Sequence, residues 1–445
     1  GFPVFGYGSY YGLKTGISKG MIISSAPFVL IVLFYLIDAL YRQKVGNLLT
    51  RTWWLCMAYM GSLIASMFVA LKGGIPGVQM GNVLLSCLIF LAPFNAAVVV
   101  NFYNRDDPEF DFARMMFIGL GSLLAINVLG FLAGIQSAGH SFEGRANFPF
   151  IRGIYTGAHV LAVFCLMLLF KLRDAGTRPV AFALALGAMF VGLFFMMKIN
   201  SRLSFMIFLM LTVLFTTKAM KAIRGLYTIS LFTLPLLLSF SLLVYQVLST
   251  PFFTSILERV SKEDVTTFNG RSYIWNAVGD WAINDRTGLL LGNGFKGHYK
   301  LHLLDFVAVL WGEPHAYNLH SHSTFTEVIV GQGVLGIVLL YVIFWRGFKH
   351  YRRQYLESTS QAPLFAGFAY LLFIWQLDIF CYGVDIGHSI LFAMMAPLCL
   401  KPVQRLELAL DLRDYQRHRD QRRGNQVQVL RLEANEIAVE RRGDE

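Results

Sequence analysis

Runs of about 20 apolar residues begin near Met21, Trp53, Met80, Met115, Gly153, Pro179, Leu203, Gly225, Thr324, Pro363 and His388. Each run is close to the length needed to cross a hydrocarbon layer roughly 30 Å thick, and inside such a layer a backbone can satisfy its own polar groups only as a helix or a closed barrel. The repetition therefore predicts an all-α, polytopic membrane protein with about 11–12 transmembrane helices. Composition agrees: 56% of residues are hydrophobic, 15% are charged and the mean hydropathy is +0.54, too apolar for a soluble domain.

Lysine and arginine in short loops set the orientation, because cytoplasmic loops carry the excess. The loops Tyr41 to Arg51, Lys171 to Arg178, Lys218 to Arg224 and Arg346 to Arg353 are basic and fall on every second turn. They define one face, read as cytoplasmic, although Asn104 to Arg114 on the same face is acidic. The opposite face then carries the loops near Gln136 to Arg152, Lys198 to Arg202 and Pro251 to Ser323. This register divides the chain into an N-terminal bundle (1–249), a large outer loop region (250–323), C-terminal spans (324–400) and a cytoplasmic tail (401–445). The net charge of +11 belongs mostly to the cytoplasmic loops and tail, which points to topology and membrane-lipid contact and not to nucleic acid. Five cysteines in apolar segments, without ligand spacing, read as packing residues.

The outer face holds the chemistry-bearing residues. Arg145 and Arg152 flank an aromatic, proline-containing turn, and Lys198 and Arg202 lie four apart across a tight turn between two spans. Such cations either anchor at the lipid interface or grip a phosphate, whose oxygens match the guanidinium fork. In the large loop, Tyr273, Ile274, Ala277, Val278 and Trp281 form an apolar stripe at helical period with Arg271 in its first turn, which predicts an amphipathic helix at the outer membrane interface. His315, His320 and His322 then crowd the residues just before the span at Thr324, with Glu327 one turn inside it. A histidine at a helix start can be a cap, or an acid–base group whose ordinary value near 6.5 suits proton transfer at neutral pH. Asp378, Asp385 and His388 are ionisable groups within or beside late apolar stretches.

Three pieces occur in order: Ser201–Arg202 at the outer start of a span, GRSYIWNAV followed by GLLLGNGF (Gly270 to Phe295), and HSHSTFTEVIVGQGVLG (His320 to Gly336). The last contains a histidine, ten intervening residues and a G-x-x-G, from His322 through Gly333 to Gly336. In this pattern the chain resembles the O-antigen ligase and Wzy-type polymerase superfamily of bacterial envelope glycosyltransferases, over roughly its C-terminal half. It departs from the pattern at Ser323, where the family often has Asn, and at Gly331, where it often has an acid. The resemblance implies a GT-C-like enzyme of the bacterial inner membrane with a periplasmic active site and no metal or other cofactor. It would move a glycan from an undecaprenyl-diphosphate carrier to a lipid A-core acceptor, as a ligase does, or to a second carrier-linked unit, as a polymerase does. His322 would be the general base, Arg202, Arg271, Arg145 and Arg152 would hold the diphosphate, and His320, His315, Glu327 and Lys198 would serve the acceptor or support the imidazole. A lipid-linked glycan transporter is the alternative of another class.

Overall fold

A computed structural model describes residues 1–42, 48–105, 107, 109–137, 145–153, 155–174, 176, 178–223, 225–231, 250–251, 271–357 and 362–401. Outside these residues lie most of the span expected from Gly225, the first part of the outer loop and the tail beyond Lys401. The described chain is helical. In order the helices are α1 (Phe2–Thr15), α2 (Ile17–Arg42), α3 (Arg51–Lys72), α4 (Met80–Tyr103), α5 (Phe112–Leu132), α6 (Thr156–Asp174), α7 (Pro179–Ile199) and α8 (Arg202–Thr216), then α9 (Arg271–Asp280), α10 (Asp305–Trp311), α11 (Thr324–Glu357), α12 (Ala362–Leu377) and α13 (Ile386–Met395), with short one-turn helices between. Among the described residues seven helices, α2 to α7 and α11, are long and apolar enough to cross a membrane. The expectation of 11 or 12 was counted from apolar runs, and three of those runs form shorter helices, α8, α12 and α13.

Burial explains the short ones. All 16 residues of α12 are buried, and a helix apolar on every side belongs in the interior of a bundle. At 1.5 Å per residue it is only about 24 Å long, so its polar end stops short of a full crossing. It packs against α6, α8 and α11. By contrast α2 and α7 keep large apolar side chains outward, including Leu30, Phe34, Val180, Leu184 and Phe190, as expected where lipid replaces water.

The loops gather at two ends. At one end Thr50 N–H donates to the Cys399 carbonyl (2.8 Å), Arg346 donates to Thr52 Oγ1 (3.1 Å) and Lys171 stands 4.0 Å from Asp111. The acidic loop that disturbed the charge pattern thus pairs with a basic one beside it. At the other end the backbone N–H of Ala146 donates to the Lys198 carbonyl (2.9 Å), joining two of the loops expected to share the outer face.

Helix α11 is broken at Gly333, whose φ of 69° and ψ of −167° are not helical. The LLLGNG segment fills the break. Val334 and Leu335 donate to the carbonyls of Leu289 (2.8 Å) and Leu290 (3.2 Å), while the carbonyls of Val330 and Gly331 accept from Asn293 (2.8 Å) and Gly294 (3.1 Å). A Cβ at Gly333 would stand 2.5 Å from the Gly292 nitrogen, and one at Gly292 would run into the Gly331 carbonyl. Two glycines are needed because two backbones share one space.

The stripe on α9 forms the predicted helix, and most of it is buried against protein, Tyr273 remaining exposed. Ile274 and Trp275 pack with Leu304 and Val307, and Val278 and Trp281 pack with Val330. Periodicity shows that one side is buried; it does not name the partner.

Candidate functional site at the polar end of the bundle

The site begins where α12 ends. Its last turn hands over to Asp378, whose backbone carbonyl accepts from Thr324 N (3.1 Å) and Thr324 Oγ1 (3.2 Å), the first residue of α11. The carboxylate is held from three directions. Oδ1 accepts from the Ile379 N–H (2.8 Å), and Oδ2 lies 3.3 Å from Arg271 Nη2 and 3.3 Å from His159 Nε2. Arg271 Nη1 also donates to the Leu377 carbonyl (2.9 Å). Burial alone would push the Asp378 carboxyl up; the Arg271 guanidinium, with His159 and His322, outweighs it and holds the group far below the usual carboxylate range.

From His159 the network continues. Its Nδ1 lies 2.8 Å from Tyr370 Oη and 2.7 Å from Ser204 Oγ, which is 2.6 Å from Ser201 Oγ. Ser201 immediately precedes Arg202, the first residue of α8. A second cationic group converges on Tyr155. Arg145 donates to its hydroxyl (3.0 Å), and the Arg145 and Arg271 guanidiniums stand 5.8 and 5.7 Å from its ring centroid, within range of a cation–π contact. Helices α6, α8, α9, α11 and α13 all begin at this end, and helix N-termini favour negative charge.

Arg152 is exposed, and its charge bears on both Asp385 and Lys296. Burial raises the Asp385 carboxyl to about 6, Arg152 opposing and Asp378 adding. Burial lowers Lys296, with Glu327 opposing and Arg152 adding. The Lys296 ammonium donates to the Tyr317 carbonyl (2.9 Å).

The His-Ser-His-Ser run is built by alternation. Ser321 and Ser323 are buried, whereas His320 and His322 are half-buried. The buried side is pinned: Trp275 Nε1 donates to the Ser321 carbonyl (3.2 Å), the Ser321 N–H donates to Glu327 Oε1 (2.6 Å), and Thr326 Oγ1 donates to Ser321 Oγ (2.8 Å). The other side carries two imidazoles with ring centroids 4.1 Å apart, the His322 N–H donating to His320 Nδ1 (3.2 Å). His322 has a φ of 52°, a left-handed turn uncommon for a residue with a Cβ, and the Trp311 ring meets it edge-on at 5.5 Å. Burial pushes His322 well below the ordinary histidine value, His320 and Arg271 add to this, and Asp378 opposes. His320 is lowered by burial as well, with Glu327 and Asp378 opposing and Arg271 and His298 adding. Both shifts favour the neutral imidazole; the His320 Nδ1 lone pair is engaged by the His322 N–H, which leaves His322 as the ring that can accept a proton.

The sequence-derived residues thus fall into groups. His322, His320 and Arg271 share one electrostatic neighbourhood with Asp378, Arg145 joins it through Tyr155, and Arg202 adjoins it through the serine chain. Arg152 sits with Asp385 and Lys296. Lys198 enters through its backbone while its side chain is exposed. His315 is exposed and stacks on Tyr317 at 5.0 Å. Glu327 faces His298 at 3.8 Å and holds Ser321, and so supports the imidazole loop from behind. Sequence reasoning missed His159, Tyr155, Tyr370, Ser204 and His298. A histidine within an apolar span is the signal that could have found His159. Among the described residues no group of three or more His, Cys, Asp or Glu side chains is placed to hold a metal ion. No protein-family model matches this chain, and no curated protein does.

Proposed function

We propose that this end of the bundle transfers a glycan from a lipid diphosphate, and that the chain is an O-antigen ligase acting on undecaprenyl-diphosphate-linked glycan and lipid A-core. In this reading it has a GT-C-like fold with 11 or 12 spans and lies in the bacterial inner membrane, with the site and the loop before Ser323 facing the periplasm. One observation carries the reading: Thr324, two residues after His322, donates to the carbonyl of Asp378 (3.1 Å), whose carboxylate lies 3.3 Å from Arg271 Nη2, so a side chain able to accept a proton and one able to hold an anion are brought to one place. An acceptor sugar hydroxyl attacks the anomeric carbon, its proton passes to His322, and the bond from that carbon to the diphosphate oxygen breaks. The charge that develops on the diphosphate meets fixed cations, Arg271 and Arg145 around Tyr155, with Arg202 and Arg152 flanking. Preorganised charge of this kind lowers the barrier because nothing has to reorient as the leaving group departs.

The test is conversion by the purified protein in liposomes. With undecaprenyl-diphosphate glycan and rough lipopolysaccharide, a ladder of glycosylated lipid A-core is expected; no product with any acceptor would overturn the reading. Product formed only from a second carrier-linked unit would assign a polymerase. The broken helix α11 favours a transporter as the second reading, since transporters place discontinuous helices at their substrate sites. Here the break is filled by the chain's own backbone, while the charged groups lie at the bundle end. Glycan crossing the liposome membrane without chemical change would select the transporter.

A further inference from the structure

We infer that residues 288–295 form a re-entrant loop that dips into the membrane from the polar end and presents Leu290 and Leu291 to lipid hydrocarbon. Two helices measure its depth. On α11 the loop engages Val330 to Leu335, and Gly333 lies nine residues below Thr324, about 13 Å at 1.5 Å per residue. On α3, Phe295 N–H donates to the Ser66 carbonyl (2.8 Å), six residues from the helix end at Lys72, about 9 Å by the same rise. Half of a hydrocarbon core is about 15 Å, so both rulers place the loop inside it.

The exposed surface continues from span to loop. Leu290 and Leu291 are 68% and 70% exposed, and on α11 Val334, Leu335 and Val338 are 36%, 45% and 51% exposed. Val334 and Leu335 are hydrogen-bonded to this same loop, so the leucines extend the apolar side of a membrane-spanning helix. Irregular backbone at membrane depth has to find its polar partners within the protein, and five of the seven N–H groups from Leu289 to Phe295 do: Leu289 donates to Arg286 O (3.0 Å), Gly292 to Gly288 O (2.7 Å), Asn293 and Gly294 to α11 and Phe295 to α3, while Asn293 Nδ2 donates to Thr287 O (2.8 Å). Polar residues return on both sides, Asp285 to Thr287 before and Lys296 to Lys300 after, as a chain entering and leaving one face requires. The partner is the hydrocarbon of the surrounding bilayer, whether or not the chain transfers glycans.

Spin labelling in liposomes tests this. In a Cys87→Ser background, which removes the one cysteine that is not buried, nitroxides are placed by Leu291→Cys, by Val338→Cys as the span reference and by Lys300→Cys as the exposed loop reference. Collision with oxygen, which concentrates in lipid, is compared with collision with a water-soluble nickel complex. The oxygen-to-nickel ratio at 291 is expected to lie near that at 338 and several-fold above that at 300. A ratio at 291 nearer to that at 300 would overturn the proposal. Should Leu291→Cys not give folded protein, Leu290→Cys reads the same depth with the same two outcomes.

Discussion

The Asp378 network and the His320–His322 pair lie side by side and are built in opposite ways. Around Asp378 the carboxylate has a guanidinium, an imidazole and a backbone N–H, and His159 is backed by Tyr370 and Ser204. The imidazole pair is fixed by its serine neighbours and by a backbone turn, and its rings are only half-buried. A saturated polar cluster holds helices in register, whereas a neutral imidazole with spare capacity can take a proton. The contrast separates the side chain that would take the proton from the network that positions it, with Arg271 of that network also assigned to the diphosphate.

The largest effect that would break this contrast is on stability. Asp378→Ala leaves Arg271 and His159 facing each other without their shared anion, and removing one member of such a buried set costs about 3–5 kcal/mol. A large fall in thermal unfolding temperature is expected; a variant as stable as the parent would show that the network is not structural. Arg271→Lys is the next largest. An ammonium cannot serve Leu377 O and Asp378 together as a planar fork does, and losing a charge-assisted hydrogen bond is worth roughly 1.5–3 kcal/mol. Donor KM should rise by about tenfold or more with acceptor KM unchanged, and the reverse split would remove Arg271 from the diphosphate.

A third prediction concerns pH. His322 is held below the ordinary value near 6.5, so its neutral form predominates in the folded protein at pH values where an unfolded chain would already bind a proton. Stability is therefore independent of this group's titration above about pH 6.5 and declines as pH falls below it, where the unfolded chain binds the proton first. The acid limb of kcat/KM should likewise lie below about pH 6.5; a limb at or above that value would contradict a lowered imidazole. The smallest effect is expected at His315, which is exposed and stacked on Tyr317. His315→Ala should leave donor use unchanged and alter acceptor KM by no more than a few-fold, and loss of turnover comparable with that at His322 would merge the two roles.

The sequence made the spans readable because membrane helices must be apolar over their length, and it drew attention to His322 because polar residues stand out against that background. It could not show that α12 is enclosed, since a lipid-facing helix and a buried one share a composition; only the neighbours distinguish them. His159 and Asp378 are 219 residues apart, and no local period links them. The G-x-x-G after His322 was readable as a motif, while its physical cause, a second backbone lying in the helix break, depends on residues some 40 positions upstream. The α9 stripe shows the same limit, a correct helix with an unknown partner.

The central claim is that His322 accepts the proton of the attacking sugar. Its most direct test is kcat/KM for His322→Ala in liposomes with carrier-linked glycan and lipid A-core, measured beside the unfolding temperature. General-base loss predicts a fall of about 10²–10⁴-fold with the unfolding temperature unchanged, and turnover within a few-fold of the parent protein would contradict the account.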